Sequence, residues 1–182
     1  MTVIHIFGAS GSGTSTLGQA LAKELGLTWL DTDNYYWLPS DPPFQEKRPI
    51  PQRVEMIKQA FAENPQGCVL SGALESWGHE LVPYFDAAIF VRLEKEERLK
   101  RLKERGIKRY GNRALPGGDM YENEQEFIAW AAHYEDSTQT GRNLKRHQAF
   151  IKTLPCPILE LDSIEDPQKL TQKAVGFVRG IG

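Results

Sequence analysis

Cysteine is scarce in this chain: 182 residues carry two, Cys68 and Cys156. Two thiols so far apart make neither a disulfide framework nor a zinc site, and both are expected to be buried thiols in a reducing compartment. Long hydrophobic runs are also missing. No apolar stretch approaches the roughly 20 residues a membrane helix needs, so a helical span is excluded. The first residues show neither a basic segment nor the apolar core of a secretion signal, and a cytoplasmic location is expected. Charge of one sign does not dominate. Twenty-two Lys and Arg against 24 Asp and Glu leave a formal net charge of −2, which gives no global reason to bind nucleic acid. Repeats and low-complexity tracts are absent. What is present, 40% hydrophobic and 25% charged residues, suits a single domain spanning 1–182.

One stretch organises the rest: Gly8-Ala9-Ser10-Gly11-Ser12-Gly13-Thr14-Ser15-Thr16. It follows the apolar run Val3–Phe7 and precedes a helical pattern with Leu17, Ala20, Leu21 and Leu25 on one face. Strand, glycine turn and helix is the context of a phosphate-binding loop, and Gly8, Gly13 and Ser15 have the spacing of G-x-x-x-x-G-K-[ST]. The lysine is lacking; Thr14 stands there. Backbone amides of Gly11 through Ser15 are expected to curl around a phosphate at the helix N-terminus, where the helix dipole favours an anion. Glycine leaves room for that approach and admits positive φ. The Ser15 hydroxyl is placed to bind Mg²⁺. The competing dinucleotide fingerprint G-x-G-x-x-G fails on spacing, because the glycines here run Gly8-x-x-Gly11-x-Gly13.

Further strands are predicted at 27–30, 68–70, 87–91 and 157–161. Helices are predicted at 14–25, 52–63, 95–105, 124–137, 142–153 and 166–179. This alternation means an α/β fold with a parallel sheet covered on both faces. His5, inside the first strand, reads as a satisfied core or sheet-end histidine, with a catalytic role as the lesser alternative. Asp31 and Asp33 follow the second strand and point the same way if the chain stays extended. They are either site carboxylates or a polar turn cap. From Asn34 to Pro51 the chain is rich in tyrosine, tryptophan and proline, the composition of an ordered excursion over a substrate rather than of a linker. Ser71-Gly72-Ala73-Leu74 falls at the same sheet end. Arg98, Arg101 and Arg105 share a helix face, which a Glu94–Arg98 and Glu97–Arg101 ladder also explains. Residues 106–119 show no periodicity and carry Lys108, Arg109 and Arg113, as a mobile flap would. Arg142 and Arg146 are expected on one face of the helix at 142–153, next to His147. Arg48 and Arg53 either meet an anionic acceptor or are plain surface residues.

These parts suit phosphoryl transfer. One carboxylate would hold Mg²⁺ through water and the other would take or orient the proton of an attacking hydroxyl. Flap arginines would supply positive charge to the transition state, and flap closure would exclude water.

The chain resembles the small P-loop kinases of the adenylate kinase-like and shikimate kinase-like group, within a subfamily that has threonine at the loop lysine position. The resemblance rests on Gly8–Thr16, Asp31-x-Asp33, Ser71-Gly72, Arg101-Leu102-x-x-x-Arg105, the arginine-containing segment after it, and Arg142 with Arg146. It implies a three-layer α/β/α fold with sheet order 2-3-1-4-5, an acceptor-binding region at 34–66, a LID at 106–122, and the Asp162-Ser163 turn beside adenine. ATP and Mg²⁺ are the implied cofactors. Asp31, Asp33, Arg105, Arg109, Arg113 and Arg142 are the implied catalytic residues. Gly8, Ser10, Gly11, Ser12, Gly13, Thr14, Ser15, Thr16, Arg101 and Arg146 would bind nucleotide, and Ser15 and Asp33 the metal. A nucleotide or small hydroxylated metabolite would be the acceptor, with no nucleic acid or membrane partner, in a monomer or homodimer. Two departures bear on activity. Thr14 removes the cation that reaches the β- and γ-phosphates, a role left to a flap arginine or Lys108. The aromatic acceptor region matches neither the shikimate nor the AMP pattern. The alternative function is a nucleotide-binding regulatory protein or a slow NTPase without transfer.

Overall fold

The apolar runs become five strands in the computed structural model, which describes residues 1–138 and 140–181. They are β1 (Thr2–Gly8), β2 (Thr28–Asp31), β3 (Gly67–Ser71), β4 (Ala87–Arg92) and β5 (Ile158–Asp162). All pair parallel, in the order β2-β3-β1-β4-β5. β1 lies in the centre and is covered on both sides, which is why it is apolar almost without interruption. Val3, Phe7, Leu70 and Phe90 face one core with Val54, Ile57 and Phe61 of helix α3 (Ile50–Glu63) and Phe150 of α6 (Leu144–Ile151). Ile4, Ile6 and Ile89 face the other with Leu17 and Leu21 of α1 (Thr14–Leu25) and Leu170 and Ala174 of α7 (Pro167–Arg179).

α1 has the expected bounds and ends at Gly26 in the left-handed region (φ 67°), which closes the helix without a Cβ penalty. Other boundaries differ from expectation. The predicted flap is largely helical: α4 runs from Lys95 to Tyr110, and a single 3-10 turn, Gly111–Ala114, follows. Gly106 is not a flap glycine. It lies inside α4, buried with the Glu124 side chain of α5 (Tyr121–Ala131) over it. α5 starts and stops earlier than 124–137. α6 begins at Leu144, capped by the Asn143 side chain, so Arg142 precedes the helix instead of sharing a face with Arg146. A 3-10 helix at His79–Tyr84 had no sequence signal, and α2 (Thr32–Tyr36) interrupts the extended path expected through Asp33. Cys68 is buried, but Cys156 is only half-buried. Among the described residues no helix is long and apolar enough to cross a membrane.

Candidate active site

A cleft of about 1460 Å³ opens at the C-terminal ends of β1, β2 and β3, where ligands bind in open α/β sheets. Pockets for one small ligand run from ~300 to ~1000 Å³, so this one has room for two. The Gly8–Thr16 loop forms its floor. Gly11 (φ 84°) and Gly13 (φ 92°) take left-handed conformations, as the loop reading required. No side chain caps α1 at Gly13, and its first turn carries no acidic residue. The amides of a 12-residue helix are thus left facing the cleft, a fit for phosphate. Ser12 departs from expectation. Its side chain is buried beneath Gly8, outside the cleft lining, so only its backbone is available to a nucleotide.

Asp31 ends β2 and caps α2, accepting from the Asp33 amide at 3.0 Å and from the Ser15 hydroxyl at 3.3 Å. Burial pushes the Asp31 carboxyl above its ordinary range, although the Asp33 amide, Ser15 and Arg109 pull the other way. Asp33 is exposed and also lines the cleft. Both carboxylates therefore reach the site, through a helix cap rather than an extended strand. The expected metal pair, Ser15 and Asp33, shares the cleft, and the direct bond of Ser15 goes to Asp31.

The arginines separate into two groups. Arg101 donates to the Ser163 carbonyl at 3.0 Å and to Glu97 at 3.2 Å, joining α4 to the Asp162-Ser163 turn. Arg105 and Arg109 line the cleft near the carboxylates. Burial and the neighbouring Arg109 lower the Arg105 pKa, while Asp33 and Glu124 oppose the shift. Arg142 donates to the Ser10 hydroxyl at 3.0 Å. Arg113 is not among the lining residues; it binds Asp119 at 2.7 Å and Asp41 at 2.8 Å. Arg146 is exposed and does not line the cleft, and the same holds for Lys108. Arg98 turns inward instead of pairing with Glu94. It is fully buried and meets Glu135 at 2.7 Å.

The far half of the cleft is aromatic. Tyr36, Trp37, Phe44 and Trp77 line it, with Lys47 at its edge. Trp37 bridges Lys47 across an antiparallel pair, and Arg48 and Arg53 hold that loop in place. Arg48 donates to the Tyr35 carbonyl at 3.0 Å, while buried Arg53 donates to the Arg48 carbonyl and lies 3.9 Å from the Tyr36 ring. Neither arginine matches the acceptor or free-surface role.

Sequence reasoning missed Glu75. It lies one residue past the Ser71–Leu74 stretch, and its side chain is 3% exposed. Its carboxylate is 3.6 Å from Nε2 of buried His147, whose Nδ1 is 2.7 Å from the Tyr134 hydroxyl. Burial opposes ionisation of Glu75, but His147 and Arg142 outweigh it and bring the pKa down to about 2. Burial holds His147 below its ordinary value despite the carboxylate beside it.

A family model described as "AAA domain" matches residues 4–129. A Bacillus subtilis (strain 168) protein named "Uncharacterized protein YqaC" is 43% identical over 159 residues, covering 87% of each chain. Among solved structures, a shikimate kinase from Acinetobacter baumannii in complex with shikimate superposes with a TM-score of 0.57 at 16% identity, covering 99% of this chain and 94% of that one. A sugar kinase from Janibacter sp. HTCC2649 gives 0.53 at 15% identity, with 98% and 95% covered. At these identities the likeness establishes a shared P-loop kinase fold.

Proposed function

The chain belongs to the AAA-domain family, and from that premise we propose that it is an ATP- and Mg²⁺-dependent kinase acting on a small molecule. The observation that carries this is the two-part cleft: an uncapped phosphate loop on one side, an aromatic chamber on the other, and Asp31 and Asp33 between them. The loop amides hold the phosphates. Arg101 and the Ser163 turn flank the adenosine side. Ser15 and Asp31 would hold Mg²⁺, which when bound neutralises phosphate charge. Asp33 accepts the proton of the acceptor hydroxyl as its oxygen bonds to the γ-phosphorus and the bond to the β-phosphate oxygen breaks. Arg105, Arg109 and Arg142 offset the charge on the transferring group.

Thr14 favours a second function, nucleotide binding without transfer, because the cation that bridges the β- and γ-phosphates is missing. A thermal-shift screen with a non-hydrolysable ATP analogue, Mg²⁺ and a panel of nucleoside monophosphates, sugars and hydroxy acids separates the two. The names of the structural neighbours put small ring alcohols in that panel. A kinase gives a further shift with its acceptor, by mass action, and then γ-phosphoryl transfer to it. Nucleotide binding with no transfer to any compound supports the second function.

A further inference from the structure

We propose that the aromatic half of the cleft binds the flat ring of a neutral aromatic or heteroaromatic alcohol, laid against Trp37 and Phe44 with its hydroxyl toward Asp31 and Asp33. The proposal rests on the kinase reading of the cleft and names the class of its acceptor.

The four rings lining that half differ in what holds them. Trp77 is buried in the core that α3 and α6 cover, and Tyr36 packs against that core. Packing accounts for both. Trp37 and Phe44 belong to neither core cluster. Trp37 is half-buried and Phe44 is 36% exposed, and both line the cleft. A large apolar ring left partly in water inside a cleft still has burial free energy to gain, and a ligand can supply it.

Phe44 is also held against its backbone preference. Its φ is 65°, and it is the one non-glycine residue with positive φ among the described residues. For a bulky side chain that region is an outlier, and it persists only where surrounding contacts over-determine it. Here the Leu38 amide donates to the Glu46 carbonyl at 2.8 Å, the Arg48 amide donates to the Tyr36 carbonyl at 2.8 Å, and Arg113 fastens Asp41. The loop so closed sets the Phe44 ring 5.8 Å from Trp37 at 65°. Trp37 meets Tyr36 at 65°, and Tyr36 meets Trp77 at 60°. None of these pairs is stacked. Edge-to-face contact uses one face in each pair, which leaves flat faces for a ligand ring.

Charge decides what kind of ring fits. Arg53 is buried outside the cleft lining, 3.9 Å from the Tyr36 ring, so it covers Tyr36 from the side away from the cleft. Both Arg53 and Arg48 direct donors to main-chain carbonyls. Arg105 and Arg109 serve the transferring phosphoryl group. For an anionic group on the acceptor, that half leaves Lys47, which is exposed, while Asp31 and Asp33 repel it. Desolvating a second phosphate there goes uncompensated, and a neutral ring avoids that cost.

The test compares neutral alcohols that differ in flatness: benzyl alcohol and 3-pyridinemethanol against cyclohexylmethanol. The saturated ring is more hydrophobic than either flat one, so a pocket that selects apolar area alone prefers it. Each is titrated at millimolar concentration into the full chain, with and without Mg²⁺ and a non-hydrolysable ATP analogue, and followed by ligand-observed NMR. Binding of the analogue is measured separately by calorimetry. The flat alcohols are expected to bind about 5- to 30-fold more tightly than cyclohexylmethanol. Phe44→Gly and Trp37→Leu should each reduce that preference at least about 3-fold. Phe44→Gly should melt no lower than the unmodified protein, because glycine accepts this φ without strain. A merely structural Phe44 would instead lower the melting temperature and leave the preference intact. Should Trp37→Leu not fold, Phe44→Gly decides alone. Uridine and uridine 5′-monophosphate, titrated with the analogue bound, form the charge arm, and the nucleoside should bind at least as tightly. Equal binding of cyclohexylmethanol, no binding of either flat alcohol, a preference that the folded variants leave unmoved, or binding of the monophosphate alone overturns the proposal. Each of those results leaves the nucleotide site intact. Failure of the unmodified chain to bind the ATP analogue overturns the kinase reading, and the ring preference then stands or falls on the titrations without nucleotide.

Discussion

The Arg113 guanidinium donates to the Asp41 carboxylate at 2.8 Å, joining two segments 72 positions apart. Asp119 holds the same guanidinium from its own segment at 2.7 Å. The pair ties the stretch after α4 to the loop between α2 and α3, whose Phe44 lines the aromatic half of the cleft. In this structure Arg113 is bound into the frame of the cleft and does not line it. Arg113→Met or Asp41→Asn is expected to leave thermal stability unchanged and to speed limited proteolysis within 37–49 several-fold. In the unmodified protein, high salt should have the same effect, because exposed pairs are screened. In a transfer assay the change should fall on acceptor KM. A loss of about 10²-fold in kcat would instead mean direct contact with the reacting group.

Arg98 is a stability residue. It is completely buried, donates to the Leu93 and Ala131 carbonyls at 3.2 and 3.3 Å, and pairs with half-exposed Glu135. Arg98→Met is expected to cost about 3–5 kcal/mol, since it leaves two buried carbonyls unpaired and Glu135 without its cation. Glu135→Gln keeps a neutral acceptor at a site solvent already reaches, and should cost about 1 kcal/mol. Urea denaturation midpoints measure both.

Gly11 and Gly13 have similar backbone angles but different surroundings. A Cβ on Gly13 meets nothing nearer than 3.9 Å, so Gly13→Ala should cost only the left-handed strain, about 1–2 kcal/mol. A Cβ on Gly11 would lie 2.7 Å from the Arg98 carbonyl, and Gly11→Ala should cost roughly twice as much or more. Both should weaken nucleotide binding, and comparing melting with titration separates the two effects.

His5 sets part of the acid sensitivity. Its ring stacks between Phe7 and Phe85, with Nδ1 3.0 Å from the Leu70 carbonyl, and burial lowers its pKa to about 4. The unfolded chain binds the proton near pH 6.5, and the folded one does not. Stability therefore falls as pH drops from 6.5 toward 4, by about 3 kcal/mol for this group. His147, also lowered by burial, adds with the same sign. Glu75, ionised in the fold down to about pH 2, adds a separate loss between 4.5 and 2. His5→Phe should reduce the slope of stability against pH in the upper window and leave the lower one unchanged.

Periodicity and loop chemistry are local properties, and they were legible in the chain. The strands were found because each is a short, nearly continuous apolar run bounded by turn residues. Gly8–Thr16 was found because a phosphate loop needs glycine at fixed spacing between a strand and a helix. Asp31, Asp33, Arg101, Arg105, Arg109 and Arg142 do reach one cleft. Arg113 and Arg146 do not, because whether a basic residue points inward depends on helix phase and on partners distant in sequence. Asp41 captures Arg113, and the Asn143 cap starts α6 one residue after Arg142.

The sequence by itself determined the alternating α/β layers and the phosphate loop with its missing lysine, and the central place of β1 followed only from the family resemblance. The tertiary structure alone decided that residues 106–110 continue a helix, since a glycine in a basic run carries no local helix signal. It also decided that Arg98 is buried and that Glu75, His147 and Tyr134 come together beside the cleft. Those four residues come from separate segments, and a single charged or aromatic residue carries no periodic signal. Their alignment exists only once β3, α5 and α6 have packed around the loop.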